Sequence, residues 1–344
     1  SSTTGAFSMT ISLDYSKTIG VVNNGFNGRG FANPYDLSIS RDERIFVLNR
    51  CDPARFTAIR VGICNLDEEY LGEFGKGFGT GDENFGLPSA MAFDHQDNLH
   101  ITDEYLNRIT VWDSHGNFVR KWGNPGNGDG ELNGPSGITF DGEGNSYVSD
   151  QNNNRVQKFS SDGEMILQWG TFGQNPGQFN LPWRITLDFS GNVYVADWRN
   201  DRVQKFSGNG EYLATIGKSG TGDGELNRPS DVAVDKDGNV YISDWGNQRV
   251  QVFDRNGCFI LKLRGEATLS QWAREFFDAN PDEDETRNNA ALIPNLPERL
   301  RNPDDESSQT EPYFWGPVAV TIDQEGRLYV TEHNRHRFQI YCRV

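Results

Sequence analysis

The chain has 344 residues with 49 acidic and 32 basic side chains, a formal charge of −17, which excludes bulk electrostatic attraction to nucleic acid or to an anionic membrane. Thirty-eight glycines beside 12 % aromatic residues describe many tight turns around aromatic cores, as in a turn-rich β protein. No run approaches the roughly 20 apolar residues of a membrane-spanning helix, so a soluble chain without membrane insertion is expected.

The opening residues, Ser1 to Phe7, lack the basic and apolar regions of a signal peptide; the expected location is extracytoplasmic, with any signal peptide already removed. The first predicted strand, within residues 8–20, carries YSKTIG at Tyr15 to Gly20. A first repeat unit then spans 31–75. Units over 85–123 and 132–170 match each other almost without gaps, the pattern returns over 179–217 and 226–265, and a sixth unit over 314–344 stops after its third strand. The anchor prolines are Pro34, Pro88, Pro135, Pro182, Pro229 and Pro317, and the three central intervals are each 47 residues. Within a unit, short β-rich runs alternate with turns (GITF, DGEGN, YVSD, QNNN, RVQKF, SSDG, MILQWG), which reads as a four-stranded meander. One such sheet cannot bury both faces alone, so six copies predict an all-β, six-bladed β-propeller forming a single domain over 1–344. YSKTIG matches YLATIG at Tyr212 to Gly217. The N-terminal strand is therefore expected to complete the last blade and close the ring, which removes open sheet edges.

The repeated PxxI, an Asp six positions after the proline, a second Asp at plus fifteen and NxRVQxF beyond it resemble the NHL repeat, over about 300 residues. Blade 1 departs, with Asn49 in place of the second Asp and six extra residues before Arg60. The resemblance implies a six-bladed propeller but leaves function open, because the family includes enzymes, RNA-binding modules and scaffolds.

Several features imitate active sites. Asp103, Asp150, Asp197, Asp244 and Glu332 are each followed five residues later by Arg108, Arg155, Arg202, Arg249 and Arg337; recurrence in blade after blade marks a structural turn, since an active site is normally unique. The glycine-rich Gly123 to Gly130 and Gly217 to Gly224 lack the GK[ST] and helix of a phosphate loop. DKDGN at Asp235 lacks the distant Glu of a calcium loop. His95 and His115 fall in hairpin turns and His100 in a strand. His333 and His336 are the clustered pair, but His336 holds the turn position of Asn107, Asn154, Asp201 and Gln248, and a metal needs about three converging ligands. The four cysteines form no CxxC pair, and a Cys51–Cys64 disulfide is left open. No cofactor is called for, with calcium or zinc still open.

In a propeller the residues just after each proline and just after each plus-fifteen acid converge around one mouth of the central channel. These positions vary while the plus-three and plus-five positions stay apolar. They yield the candidate ligand-binding residues Tyr35, Asp36, Glu104, Tyr105, Trp183, Arg184, Trp198, Arg199, Asp231, Trp245 and His333, a set rich in flat apolar faces and mixed charge, suited to a ring-bearing polar or anionic small molecule.

Residues 266–313 form an insertion between blades 5 and 6. They carry 12 acids and 4 arginines, a net charge of −8. Thr268 and Gln271 read as a capping box, and Leu269, Trp272, Ala273, Phe276 and Phe277 recur at helical spacing until Asn280 and Pro281. The connection lies on the mouth face, so a mostly helical, acidic cap is expected there.

The leading functional reading is a propeller that binds a small molecule or a protein at the capped mouth; oligomeric state is left open. The alternative is a lyase or hydrolase acting on a small polar or anionic substrate. The repeats are similar to those of peptidyl-hydroxyglycine amidating lyases, whose ring holds metal through histidines just after the blade prolines. That resemblance implies Tyr105 for the lyase tyrosine and Arg184 or Arg199 as anion partner. Tyr35, Ser89, Ser136, Trp183, Ser230 and Val318 occupy the histidine positions, so the metal ligands are missing. An RNA-binding module needs a basic face, which the charge opposes.

Overall fold

The computed structural model describes residues 11–23, 25, 27–51 and 58–344. Six four-stranded antiparallel sheets are arranged by their first strands, Pro34–Ile39, Pro88–Phe93, Pro135–Phe140, Pro182–Leu187, Asp231–Val234 and Pro317–Ile322, each of which meets the first strand of the next blade. The last sheet is completed by Leu13–Ile19, which pairs antiparallel with Arg337–Arg343, placing Leu13 opposite Arg343 and Ile19 opposite Phe338. Residues 1–10, which hold the leader reading and the start of the 8–20 strand, and residues 52–57, which hold most of the blade 1 insertion, lie outside the described residues.

The core sits between adjacent sheets rather than inside one. Between blades 1 and 2, the fully buried Trp112 packs against Phe74 at 4.7 Å and Phe85 at 5.8 Å between ring centroids, and each further seam has its own apolar cluster. Period-two strands bury both faces here because each sheet is sandwiched between two neighbours.

The recurrent acids and arginines staple each blade. Asp150 accepts from Arg155 Nε at 2.7 Å and from the Asn133 backbone N–H at 2.7 Å, while Arg155 Nη2 donates to the carbonyls of Gly128 and Glu131 at 2.8 Å each. The pairs Asp197–Arg202, Asp244–Arg249 and Glu332–Arg337 repeat this at 2.7–2.9 Å. Blade 2 corrects the expectation of a pair in every blade. There Arg108 donates to the carbonyls of Thr80, Gly81 and Asn84, and Asp103 accepts from the Gly86 and Leu87 N–H groups instead. In blade 1, Asn49 accepts from the Ala32 N–H at 2.9 Å and Arg60 pairs with Glu73 at 2.9 Å. Cys64 is a buried free thiol, so no Cys51–Cys64 bridge is present.

A second device links the blades to one another. Asn107, Asn154, Asp201, Gln248 and His336 all adopt left-handed backbone with φ of 49–54°. Their side chains accept the backbone N–H of the residue before the next blade's proline: Gly134, Leu181, Arg228, Gly316 and Asn33, at 2.7–2.9 Å. Those five recipients are themselves left-handed, with φ of 50–69°. His336 therefore does structural work as the latch between blades 6 and 1, as its turn slot implies.

Candidate functional site at the channel mouth

In blades 2 to 6 the latches place the turn between second and third strands beside the entry to the next blade's first strand, so the two rings of variable residues share one face there. Within blade 4 the two rings touch. Trp183, just after Pro182, stacks on Trp198, just after Asp197, with centroids 4.6 Å apart and planes 5° apart. Trp245 of blade 5 stands next to Trp198 at 6.4 Å. Arg228 and Arg199 lie over the Trp198 ring, 4.9 and 5.8 Å from its centroid.

Across the ring, Tyr35 is the hub of the other half. Arg50 lies 4.3 Å from its ring centroid and Arg184 lies 5.2 Å from it. The His333 ring meets its edge at 5.7 Å, and Arg50 is also ion-paired with Glu104.

Arg184 joins the halves. It projects from blade 4 to blade 1, where Nη1 meets Asp36 Oδ1 at 2.9 Å and Nη2 donates to the Tyr35 carbonyl at 2.7 Å. This crossing has room because the equivalent positions in blades 2, 3 and 6 are Ala90, Gly137 and Ala319. At Gly137 a Cβ would sit 2.6 Å from the Trp183 carbonyl oxygen and 3.0 Å from the Arg184 Cα. Asp36 also accepts the Met91 N–H at 2.7 Å, and Asp231 accepts the Val320 N–H at 3.0 Å, so both carboxylates tie their blade to the next. Arg184 and Asp36 are 4 % and 5 % exposed. They form the floor of the channel and are spent on each other, rather than lining an open cup.

Burial sets the electrostatics of this floor. It raises Asp36 above the ordinary carboxylate range despite the attraction of Arg184, and raises Asp231 to about 7, with the charge of Asp36 adding to the effect. One guanidinium faces two carboxylates, so keeping both charged in a low dielectric is unfavourable. Burial, then the charge of Arg50, lowers His333 to about 4, so this imidazole is neutral at pH 7.

Ten of the eleven predicted residues take part in these contacts. Tyr105 does not: it is 60 % exposed and lies beside Phe78 at 6.3 Å. Gln151, Arg50 and Arg228 join the set. The first two occupy ring positions read from the repeat. Arg228 precedes Pro229 and carries no motif; its left-handed backbone, where blades 3 and 6 use glycine, is the only trace. Four buried side-chain atoms here have no hydrogen-bond partner: Gln151 Oε1, Trp183 Nε1, Trp198 Nε1 and His333 Nδ1. Among the described residues no cluster of three or more His, Cys, Asp or Glu side chains is arranged to hold a metal.

The insertion contains α1 (Gln271–Ala279), α2 (Pro281–Asn288) and α3 (Pro303–Gln309). The cap of α1 differs from the expected box. Ser270 Oγ accepts the Ala273 N–H, whereas Thr268 Oγ1 is bonded to the Tyr15 hydroxyl, so the helix starts at Gln271. Trp272, 1 % exposed, enters the cluster of Ile19, Phe31, Tyr329 and Phe338 and donates its indole N–H to the Glu68 carbonyl. These contacts hold α1 on the outer rim, at the seam of blades 6 and 1. At the mouth face it is α3 that touches the blades, through Asp304 accepting from Gln248 Nε2 and Trp315 Nε1, both at 3.1 Å. Two clefts of about 420 Å³ lie within the insertion, lined by residues such as Leu269, Arg274 and Arg287 in one and Phe277 and Glu285 in the other. Neither includes a mouth residue.

The NHL repeat family matches residues 179–206, 226–253 and 314–341, and a family described as a 6-bladed beta-propeller matches 85–168. No curated protein matches the sequence. Among solved structures, the chain is similar to a structural genomics protein of unknown function from Bacteroides thetaiotaomicron, with TM-score 0.64, 17 % identity and coverage of 97 % of this chain and 76 % of that one. An auxiliary nutrient binding protein from the same organism aligns with TM-score 0.60 and 10 % identity, over 96 % and 76 % of the two chains. A virginiamycin B lyase from Staphylococcus aureus with quinupristin aligns with TM-score 0.55 and 14 % identity, over 94 % and 82 %. At these identities the likeness concerns the fold. Among the described residues no helix is long and apolar enough to cross a membrane.

Proposed function

This chain belongs to the NHL-repeat six-bladed β-propellers, and from that premise we propose that it is a binding protein whose mouth face takes a small, planar, polar molecule. The observation that carries this reading is the concentration of unpartnered polar atoms in the variable rings: two indole N–H donors, one amide oxygen and one imidazole nitrogen. Each buried polar group left unpaired costs about 1–3 kcal/mol; single atoms of this kind also occur elsewhere, at Arg108, Ser149, Trp169 and Thr331 among others, whereas four of them meet on the mouth face. A ligand with hydrogen-bonding edges would satisfy such atoms, and the indoles of Trp183, Trp198 and Trp245 supply flat faces for its ring. A protein partner would bring the same chemistry through an aromatic or amide side chain. The similarity to an auxiliary nutrient binding protein is consistent with binding without chemistry.

The test is a ligand-library thermal-shift screen on the wild type and on Trp198→Ala. Hits should lose their stabilising shift in the variant; hits that keep it would place binding elsewhere.

The alternative, a lyase or hydrolase, has in its favour the fold shared with virginiamycin B lyase and a carboxyl, Asp231, raised to about 7, where a general acid or base is effective. Asp231 is only 7 % exposed. Elemental analysis separates the readings: stoichiometric zinc or calcium would favour the enzyme.

A further inference from the structure

Four arginines surround the mouth, and their partners divide them. Arg50 is paired with Glu104, and Arg184 with Asp36. Arg199 and Arg228 are exposed, and among the described residues neither guanidinium has a carboxylate within ion-pair distance. The carboxylate nearest in the chain's latch pattern, Asp201, is occupied by the backbone N–H of Arg228 and the Ser219 hydroxyl, both at 2.7 Å. In a chain with 17 more acidic than basic groups, both guanidiniums of this corner thus stand without an acid partner, beside one indole. Both lie over Trp198, whose neighbour Trp183 is stacked against it and whose own buried N–H is unpartnered. The acids of α3 are engaged at the neighbouring blade 5, where Asp304 accepts from Gln248 and Trp315.

We infer that the corner formed by Trp198, Arg199 and Arg228 receives the anionic group of a planar ligand, an aromatic carboxylate or an aromatic phosphate or sulfate ester. A guanidinium fork matches such an oxyanion with paired N–H donors, and it keeps its charge at every physiological pH. The ligand's ring lies against the indoles while its charged group turns toward Arg199 and Arg228. This rests on the binding reading above and adds charge selectivity to it.

The experiment is calorimetric titration of the intact protein with naphthoate, naphthyl phosphate and the neutral naphthamide, at low and high salt, repeated on Trp198→Ala and on the double variant Arg199→Gln/Arg228→Gln. Naphthoate or naphthyl phosphate should bind at least about tenfold more tightly than naphthamide. The gap should shrink at high salt and vanish in the double variant, whose melting temperature should be unchanged because both side chains are exposed. The two anions compared with each other distinguish a carboxylate from a phosphate ligand. Equal binding of anion and amide, a gap that survives the double variant, or no binding of either anion would overturn the inference. If anion and amide bind equally and Trp198→Ala abolishes both, the charge selectivity falls while the binding reading stands.

Discussion

At the scale of single residues, the left-handed latch shows how one slot accepts four side-chain chemistries, provided each offers an acceptor to the neighbouring blade. Asn and Asp tolerate this backbone well; His336 is the member whose acceptor nitrogen is lost when the ring is protonated. Its Nδ1 accepts the Asn33 N–H at 2.9 Å and must be unprotonated to do so. Burial lowers the pKa of His336 and holds His333 near 4. Below the ordinary value of about 6.5, the unfolded chain therefore binds protons that the folded one refuses. The stability these groups confer is complete above that pH and is lost as pH falls toward 4. Asp36 and Asp231, raised by burial, act with the opposite sign, so the informative comparison is with a variant. His336→Asn keeps the acceptor in the form used by Asn107 and Asn154 and removes the titration. Its melting temperature should match the wild type near neutrality and fall less between pH 7 and pH 5; an identical fall would show that the latch does not sense protons. The slot was legible from the repeat, but its hydrogen-bond partner was not, because that partner lies in another blade.

At the scale of elements, the insertion separates what periodicity reveals from what it leaves out. Apolar spacing identified a helix around Trp272, Phe276 and Phe277, while Ser270 took over the cap because the Tyr15 hydroxyl holds Thr268. Spacing also required a surface for the helix to cover without saying which one. The structure supplies the seam between the closing strand and blade 1: Ser270 Oγ donates to the Gly20 carbonyl at 2.6 Å, and Trp272 fills the gap beside Ile19 and Phe31. α1 thus clamps the joint at which the ring closes. Trp272→Ala should cost about 3–5 kcal/mol, the range for emptying a buried aromatic site, measured by denaturant unfolding. A loss well below 1 kcal/mol would mean that α1 rests on the rim without holding it.

At the scale of the whole molecule, the six blades, their strands and the ring were legible because the same contacts recur every 47 residues over the central units. What was not legible depends on closure. Arg184 and Asp36 are 148 positions apart, read as pocket-lining residues, yet once the ring closes they meet across the channel and become its floor. The same closure leaves Arg199 and Arg228 as the unpaired cations of the mouth and isolates the indole N–H groups of Trp183 and Trp198. Charge is unevenly shared as well, with the insertion holding −8 of the −17. The central claim, that the mouth is a binding site built around unpartnered indoles, is tested most directly by proton–nitrogen correlation NMR of the indole N–H resonances, assigned with Trp183→Phe and Trp198→Phe. Saturation with a ligand found by thermal shift should move the Trp183 and Trp198 resonances and leave that of buried Trp112 in place. A ligand that stabilises the protein while leaving both mouth resonances unmoved would contradict the account.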